Sequence, residues 1–254
     1  MPSKKPSIFN FNDYVNTGKK QGTNPGGFYQ HKTTGKQYYI KWLQEDLLAN
    51  EKQFFNPQDI EKGKYKNRHR NRFNNEVLAA RIYELYGVSV PKMDFITFKH
   101  EGKTYYGIRS EKKDGITMMK TAHNQNNHKL FDEARYKAQE DFLIDVLLSN
   151  YDVVGWGMDN LFFDSNTKEP LRIDPGAALR YYAQGKPKKG EFNAKAGEYE
   201  DMEAGKRINT VFNEHTLKDA GRVFNGVSVS PALLISLRKL LAVTDEQLTN
   251  CVEE

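Results

Sequence analysis

Two oxygen-bearing side chains stand at the ends of one short predicted hairpin. Asn160 closes W-G-M-D-N ahead of the run L-F-F-D, and Asp174 follows L-R-I ahead of Pro175 and Gly176. The S-N-T-K turn between the runs Leu161 to Asp164 and Pro170 to Ile173 folds the chain back, so an amide oxygen and a carboxylate become neighbours. Such a pair suits Mg²⁺, which keeps several waters and takes its other ligands from substrate phosphates. Taken singly, each residue also has a plainer reading, with Asp174 opening a β-turn and Asn160 capping a loop. The one cysteine, Cys251, offers no thiolate cluster, so a metal here must be held by oxygen.

A phosphate ligand needs further positive charge and close backbone approach. Lys41 lies in the apolar run Q-Y-Y-I-K-W-L, where strand alternation sets Tyr39, Lys41 and Leu43 on one face. An ammonium between large apolar side chains needs a partner or a route to solvent. Glu76 offers the partner, because Phe73, Glu76, Ala80 and Tyr83 recur at helical spacing on one partly apolar face. Upstream, Q-G-T-N-P-G-G-F-Y places Gly22, Gly26 and Gly27 between candidate strands, where backbone N–H groups approach phosphate oxygens unhindered. A simple hairpin turn is the alternative for that stretch.

The elements that must position these residues follow from local pattern. Gly27 to His31 and Gln37 to Leu43 read as strands, Arg72 to Tyr86 as a helix ended by Gly87, and Lys92 to Phe98 and Lys103 to Ser110 as a second hairpin, giving ββαββ. A polar loop then runs to Asn127, a single helix spans about Asp132 to Asn150, and helices dominate after the small hairpin, notably over Pro231 to Val243 and Asp245 to Val252. The expected class is α+β, with a β-rich N-terminal lobe over residues 1–111 and a mainly helical C-terminal lobe over 112–254. Hydrophobic residues at 38% and aromatics at 12% suffice for packed cores. No apolar run approaches the ~20 residues that span a bilayer, and M-P-S-K-K-P-S lacks a secretory apolar segment, so the expectation is a chain made in the cytoplasm.

The net charge of +5 is concentrated: Lys62 to Arg72 carries six Lys or Arg and His69 without an acid. Lys64, Lys66, Arg68, Arg70 and Arg72 read either as a solvated loop or as a binding site for a polyanion, with Lys186, Lys188 and Lys189 as further contributors.

The order of glycine-rich turn, strand Lys, helix Glu, second hairpin, long helix, Asn, hairpin and Asp-x-Gly resembles the protein-kinase superfamily over roughly residues 20 to 180. The resemblance implies a bilobal kinase-like fold in which Gly22, Asn24, Gly26 and Gly27 cover ATP phosphates. Lys41 and Glu76 become the strand–helix pair, Asn160 and Asp174 the ligands of Mg²⁺ or Mn²⁺, and D-P-G a variant of D-F-G. Two motifs depart from the pattern. No H-R-D occurs, and the position five residues before Asn160 is Gly155. Instead N-Y-D ends at Asp152, similar to the N-x-D of atypical bacterial kinases, which makes Asp152 the candidate base and Asp159 the alternative. The A-P-E motif is absent as well.

R-I-D-P-G-A-A-L-R-Y-Y is similar to compact bacterial and phage-encoded kinase-like proteins, some of them secreted effectors that act inside a host cell. That likeness implies transfer of the γ-phosphate to a protein Ser, Thr or Tyr, with activation by a polyanion such as inositol hexakisphosphate. RNA, acidic lipid headgroups or an acidic protein would satisfy the same basic charges. A small-molecule or lipid kinase and a nucleotide- or polyanion-binding pseudokinase stay open as alternatives.

Overall fold

The computed structural model describes residues 7–18, 25–42, 68–100, 103–125, 127–181, 188, 197–206 and 214–253. Gly22, Asn24, Lys64, Lys66, Lys186 and Lys189 lie outside the described residues, and Arg68 and Arg70 are described as helical backbone only. The chain forms two compact units, residues 1–77 with 91–113 and residues 78–90 with 114–254. The first is rich in β-sheet and the second is mainly helical, the α+β class expected from the sequence.

The first unit is a six-stranded sheet in the order β1-β5-β6-β4-β3-β2. Its strands are β1 (Ser7–Ile8), β2 (Tyr14–Gly18), β3 (Gly26–His31), β4 (Gln37–Trp42), β5 (Met93–His100) and β6 (Lys103–Glu111). One face carries Phe9, Tyr14, Ile40, Ile96 and Phe98, with Tyr38 and Trp42 against them. On the other face Phe73 and Val77 of helix α1 (Arg68–Leu85) pack on Ile108, Met93 and Phe95. Alternation along β4 therefore gives Ile40 to the first core and Lys41 to the helix side. The sheet exceeds the expected ββαββ by β1 and β2. In β2 only Tyr14 is buried, so this edge strand shows no hydrophobic alternation from which it could be read.

The second unit continues with β7 (Ile116–Met118), α2 (Met119–Asn124), α3 (His128–Gln139), α4 (Phe142–Leu147), β8 (Leu161–Asp164) and β9 (Pro170–Arg172). It closes with α5 (Gly197–Ala204), α6 (Glu214–Phe224), α7 (Pro231–Ala242) and α8 (Asp245–Glu253). Strands β7, β8 and β9 form a small antiparallel sheet. Its core gathers Phe142, Phe163, Met202, Leu217 and Phe224. Two expectations need correction. The stretch up to Asn127 contains β7 and α2 rather than only a polar loop, and the single helix over 132–150 is two helices broken at Glu140 and Asp141.

A buried arginine sits beside the break. Arg172 of β9 is fully buried, its Nε and Nη2 donating to Asp145 at 2.9 and 2.8 Å and its Nη1 donating to Asp141 at 2.9 Å. Nη2 also donates to the Ala138 carbonyl at 3.0 Å, which lies at the end of α3. Tyr83 donates to Asp145 at 2.9 Å and accepts from Asn150 at 2.9 Å, while Lys239 of α7 reaches Asp141 at 2.5 Å. Asp141 and Asp145 lie four residues apart, so they share one face and both reach the same guanidinium.

Removing one partner of a buried ion pair leaves the others desolvated and uncompensated. Arg172→Met is expected to lower unfolding free energy by about 3–5 kcal/mol in urea titrations. Arg172→Lys should recover only part, since an ammonium lacks the planar fork that serves three acceptors. A loss under about 1 kcal/mol for Arg172→Met would show that the network does not hold this unit together.

Candidate active site

In the first unit Lys41 and Glu76 form an ion pair at 2.6 Å, with relative exposures of 6% and 1%. The pairing follows from two local periodicities: β4 turns Lys41 toward α1, and α1 turns Glu76 inward along with the buried Phe73, Ala80 and Tyr83. Gly26 lies directly opposite Lys41 in the β3–β4 register. A Cβ on Gly26 would come within 2.3 Å of the Ile40 carbonyl oxygen, so only glycine lets β3 lie this close to β4. That glycine therefore has a structural reason independent of any ligand. Phe28 and Tyr39 meet at 5.1 Å beside it.

In the second unit the hairpin of β8 and β9 joins the two proposed metal ligands. Leu161 pairs with Arg172, and just beyond that pair the Ile173 N–H donates to the Asn160 carbonyl at 2.9 Å. Asp174 follows in the left-handed region at φ 50°, a conformation that Asp and Asn tolerate better than most residues, and Pro175–Ala177 then form a single 3₁₀ turn. The Asn160 amide donates from Nδ2 to the Asp152 carbonyl at 3.0 Å and stands 3.4 Å from the Asp152 carboxylate. Asp152, Asn160 and Asp174 are thus brought together; the predicted hairpin already joined Asn160 to Asp174, and the structure adds Asp152.

Gly155 explains the departure from the five-residue spacing. It adopts φ +77°, and a Cβ there would lie 2.3 Å from an Asp159 carboxylate oxygen and 2.8 Å from the Asn160 nitrogen. No aspartate fits that position without rebuilding the loop. Helix α6 holds the loop in ways no local signal announces. Thr216 hydrogen-bonds the Asp152 carboxyl, and the Gly157 N–H donates to Asp219 at 2.6 Å. These partners lie about sixty residues downstream.

Burial is the main cause that pushes Asp152 up to about 7, assisted by the negative charges of Asp174 and Asp159 and opposed by the Thr216 hydrogen bond. Asp159 is also raised, chiefly by desolvation, with Lys120 acting against it and Asp174 and Asp219 for it. Among the described residues no three His, Cys, Asp or Glu side chains assemble as a metal cluster. An amide and a carboxylate with mutually repelling carboxylates nearby nevertheless fit Mg²⁺, which needs few protein ligands and relieves that repulsion. Of the basic stretch, Arg72 is half-buried on α1. Lys188 donates to the Ser149 carbonyl at 2.6 Å, and its ammonium lies 5.6 Å from the centroid of the Tyr151 ring.

No family model matches the chain, and no curated protein matches it. Among solved structures it is similar to the Helicobacter pylori proinflammatory kinase CtkA, at 13% identity and a TM-score of 0.43, covering 94% of this chain and 99% of that one.

The Asp152 environment gives a pH-dependent stability with a defined sign. Its folded value of about 7 lies above the ordinary value of about 3.9, so this carboxyl favours the folded state most at low pH. The contribution is lost as pH rises from about 4 through about 7. In metal-free buffer, the stability gained by Asp152→Asn should be larger at pH 8 than at pH 5 by about 1–2 kcal/mol, since partial solvent access weakens the full effect. Urea unfolding of both proteins at the two pH values measures this, and an equal difference at both would contradict the assignment.

Proposed function

We propose that the chain is an ATP-dependent phosphotransferase of the atypical protein-kinase kind, moving the γ-phosphoryl group to a protein Ser, Thr or Tyr hydroxyl. The observation that carries this reading is the buried Lys41–Glu76 pair at 2.6 Å, in a sheet-rich unit and directly across from Gly26. Buried ion pairs are a poor source of stability, so one retained on a core face argues for a charge needed by a ligand.

In the proposed mechanism Lys41, oriented by Glu76, neutralises ATP phosphate oxygens. Asn160 and Asp174 would hold Mg²⁺, which when bound would screen the phosphate charge. Asp152 orients the acceptor hydroxyl and takes its proton. A carboxyl at about 7 is suited to that task near neutral pH. The Asn160 amide, bonded to the Asp152 carbonyl, links the base to the metal position. Phosphoryl transfer asks for little else from a protein than alignment and charge neutralisation.

Activation by a polyanion such as inositol hexakisphosphate belongs to the same proposal. Helix α1 opens with Arg68, Arg70 and Arg72 and has no acid in its first turn. A bound polyanion would draw these like charges together and so favour the helix. The helix so stabilised is the one that carries Glu76.

Transfer of labelled γ-phosphate from Mg-ATP to the chain itself and to a basic protein tests the reading, with and without inositol hexakisphosphate. Asp174→Asn, which suits the left-handed backbone at that position, should lower transfer by about 10²-fold or more, and Asp159→Asn by under about tenfold. Label that persists in Asp174→Asn, or no label under any condition while ATP still binds, would contradict the proposal.

A further inference from the structure

Two segments that flank the site meet at one strained junction. Ser149, just past the end of α4 and shortly ahead of Asp152, has φ 50°, and Leu179, shortly after Asp174, has φ 54°. The Leu179 N–H donates to the Leu148 carbonyl at 2.6 Å, so one hydrogen bond joins the two turns. A left-handed leucine is a strained backbone, and such strain persists only where neighbouring contacts over-determine it.

Lys188 supplies those contacts. Its N–H donates to the Arg180 carbonyl at 2.8 Å, immediately after Leu179, which brings its side chain back to the junction. Its ammonium donates to the Ser149 carbonyl at 2.6 Å and lies 5.6 Å from the centroid of the Tyr151 ring. Carbonyls that follow a helix end lack partners within the helix, and a cation suits them both as a donor and as a charge. Tyr151 is buried and immediately precedes Asp152, so the ammonium grips the N-Y-D stretch at a backbone oxygen and at a fixed ring. Its place in K-P-K-K made Lys188 a candidate for a polyanion, whereas the structure directs this ammonium to a backbone carbonyl.

We infer that Lys188 is a positioning residue, a charged brace that holds the chain after Asp174 against the N-Y-D turn and so sets where Asp152 points. For this lysine the brace replaces the polyanion contact that the basic stretch suggested. The inference rests on the phosphotransferase reading for its effect on transfer, but the brace itself is measured separately.

Amide hydrogen exchange, read on peptides that cover residues 148–153 and 178–181, tests the brace, and transfer kinetics test its consequence. Lys188→Met keeps the length but neither the charge nor the donor, and should speed exchange in both peptides by at least about fivefold while α7 keeps its rate. It should also lower kcat by about tenfold with KM for ATP within about twofold, because the misplaced group is the base and not a nucleotide ligand. Lys188→Arg, which still offers a charged donor to the carbonyl and the ring, should restore both. Exchange unchanged in Lys188→Met would overturn the inference, and loss of inositol hexakisphosphate binding in that variant would then return the lysine to the polyanion. Acceleration that extends to α7 would overturn it too, by showing a general loss of stability. The local exchange pattern with no transfer by any of the proteins would uphold the brace and overturn the phosphotransferase reading, whereas transfer with kcat unchanged in Lys188→Met would overturn the positioning role and leave that reading standing.

Discussion

One buried guanidinium sets the geometry of the helical unit. Arg172 cannot be left unpaired at full burial, and Asp141 and Asp145 both reach it. The same carboxylate of Asp145 takes the Tyr83 hydroxyl, and Tyr83 in turn receives the Asn150 amide. Asn150 begins the N-Y-D stretch, and Arg172 ends the hairpin strand two residues before Asp174. A single hydrogen-bonded network therefore fixes both ends of the constellation, the proposed base from one side and the proposed metal ligand from the other. Its energetic worth lies less in net stability than in allowing one arrangement and penalising others.

Between those anchors the loop 152–160 is held by compensations. Glycine at 155 admits the Asp159 carboxylate and the Asn160 backbone, and helix α6 supplies Thr216 and Asp219 as fixed partners. Burial raises the proton affinity of Asp152 and of Asp159, and the negative charge of Asp174 adds to both. Perturbed carboxyls gathered in this way are expected where a cation or a proton has a role. The sheet-rich unit shows the opposite arrangement, with Lys41 and Glu76 satisfying each other's charge within an otherwise apolar face.

What the sequence made legible was local. Strand alternation around Lys41 and helical spacing around Glu76 are periodic signals, and each put its charge on the face where the structure has it. The hairpin that joins Asn160 to Asp174 was readable from two short β runs and a turn. Arg172 was not, because an arginine in L-R-I-D looks like any surface arginine until its three acceptors are assembled from other helices. Strand β2 escaped for the same reason in reverse, since its one buried side chain, Tyr14, leaves no pattern. Thr216 and Asp219 are sequence-distant from the loop they hold, and residue type alone gives no hint of such a pairing.

Lys41 is proposed here as a nucleotide ligand rather than a structural cation neutralising Glu76. Calorimetric titration with a non-hydrolysable ATP analogue in Mg²⁺ separates the two, using Lys41→Met, an apolar replacement of similar length, with circular dichroism to establish that the variant is folded. Binding by the unsubstituted chain should depend on Mg²⁺ and weaken by about tenfold or more in Lys41→Met, the loss of a charge-assisted phosphate contact. No binding by the unsubstituted chain, or equal affinity in both proteins, would contradict it.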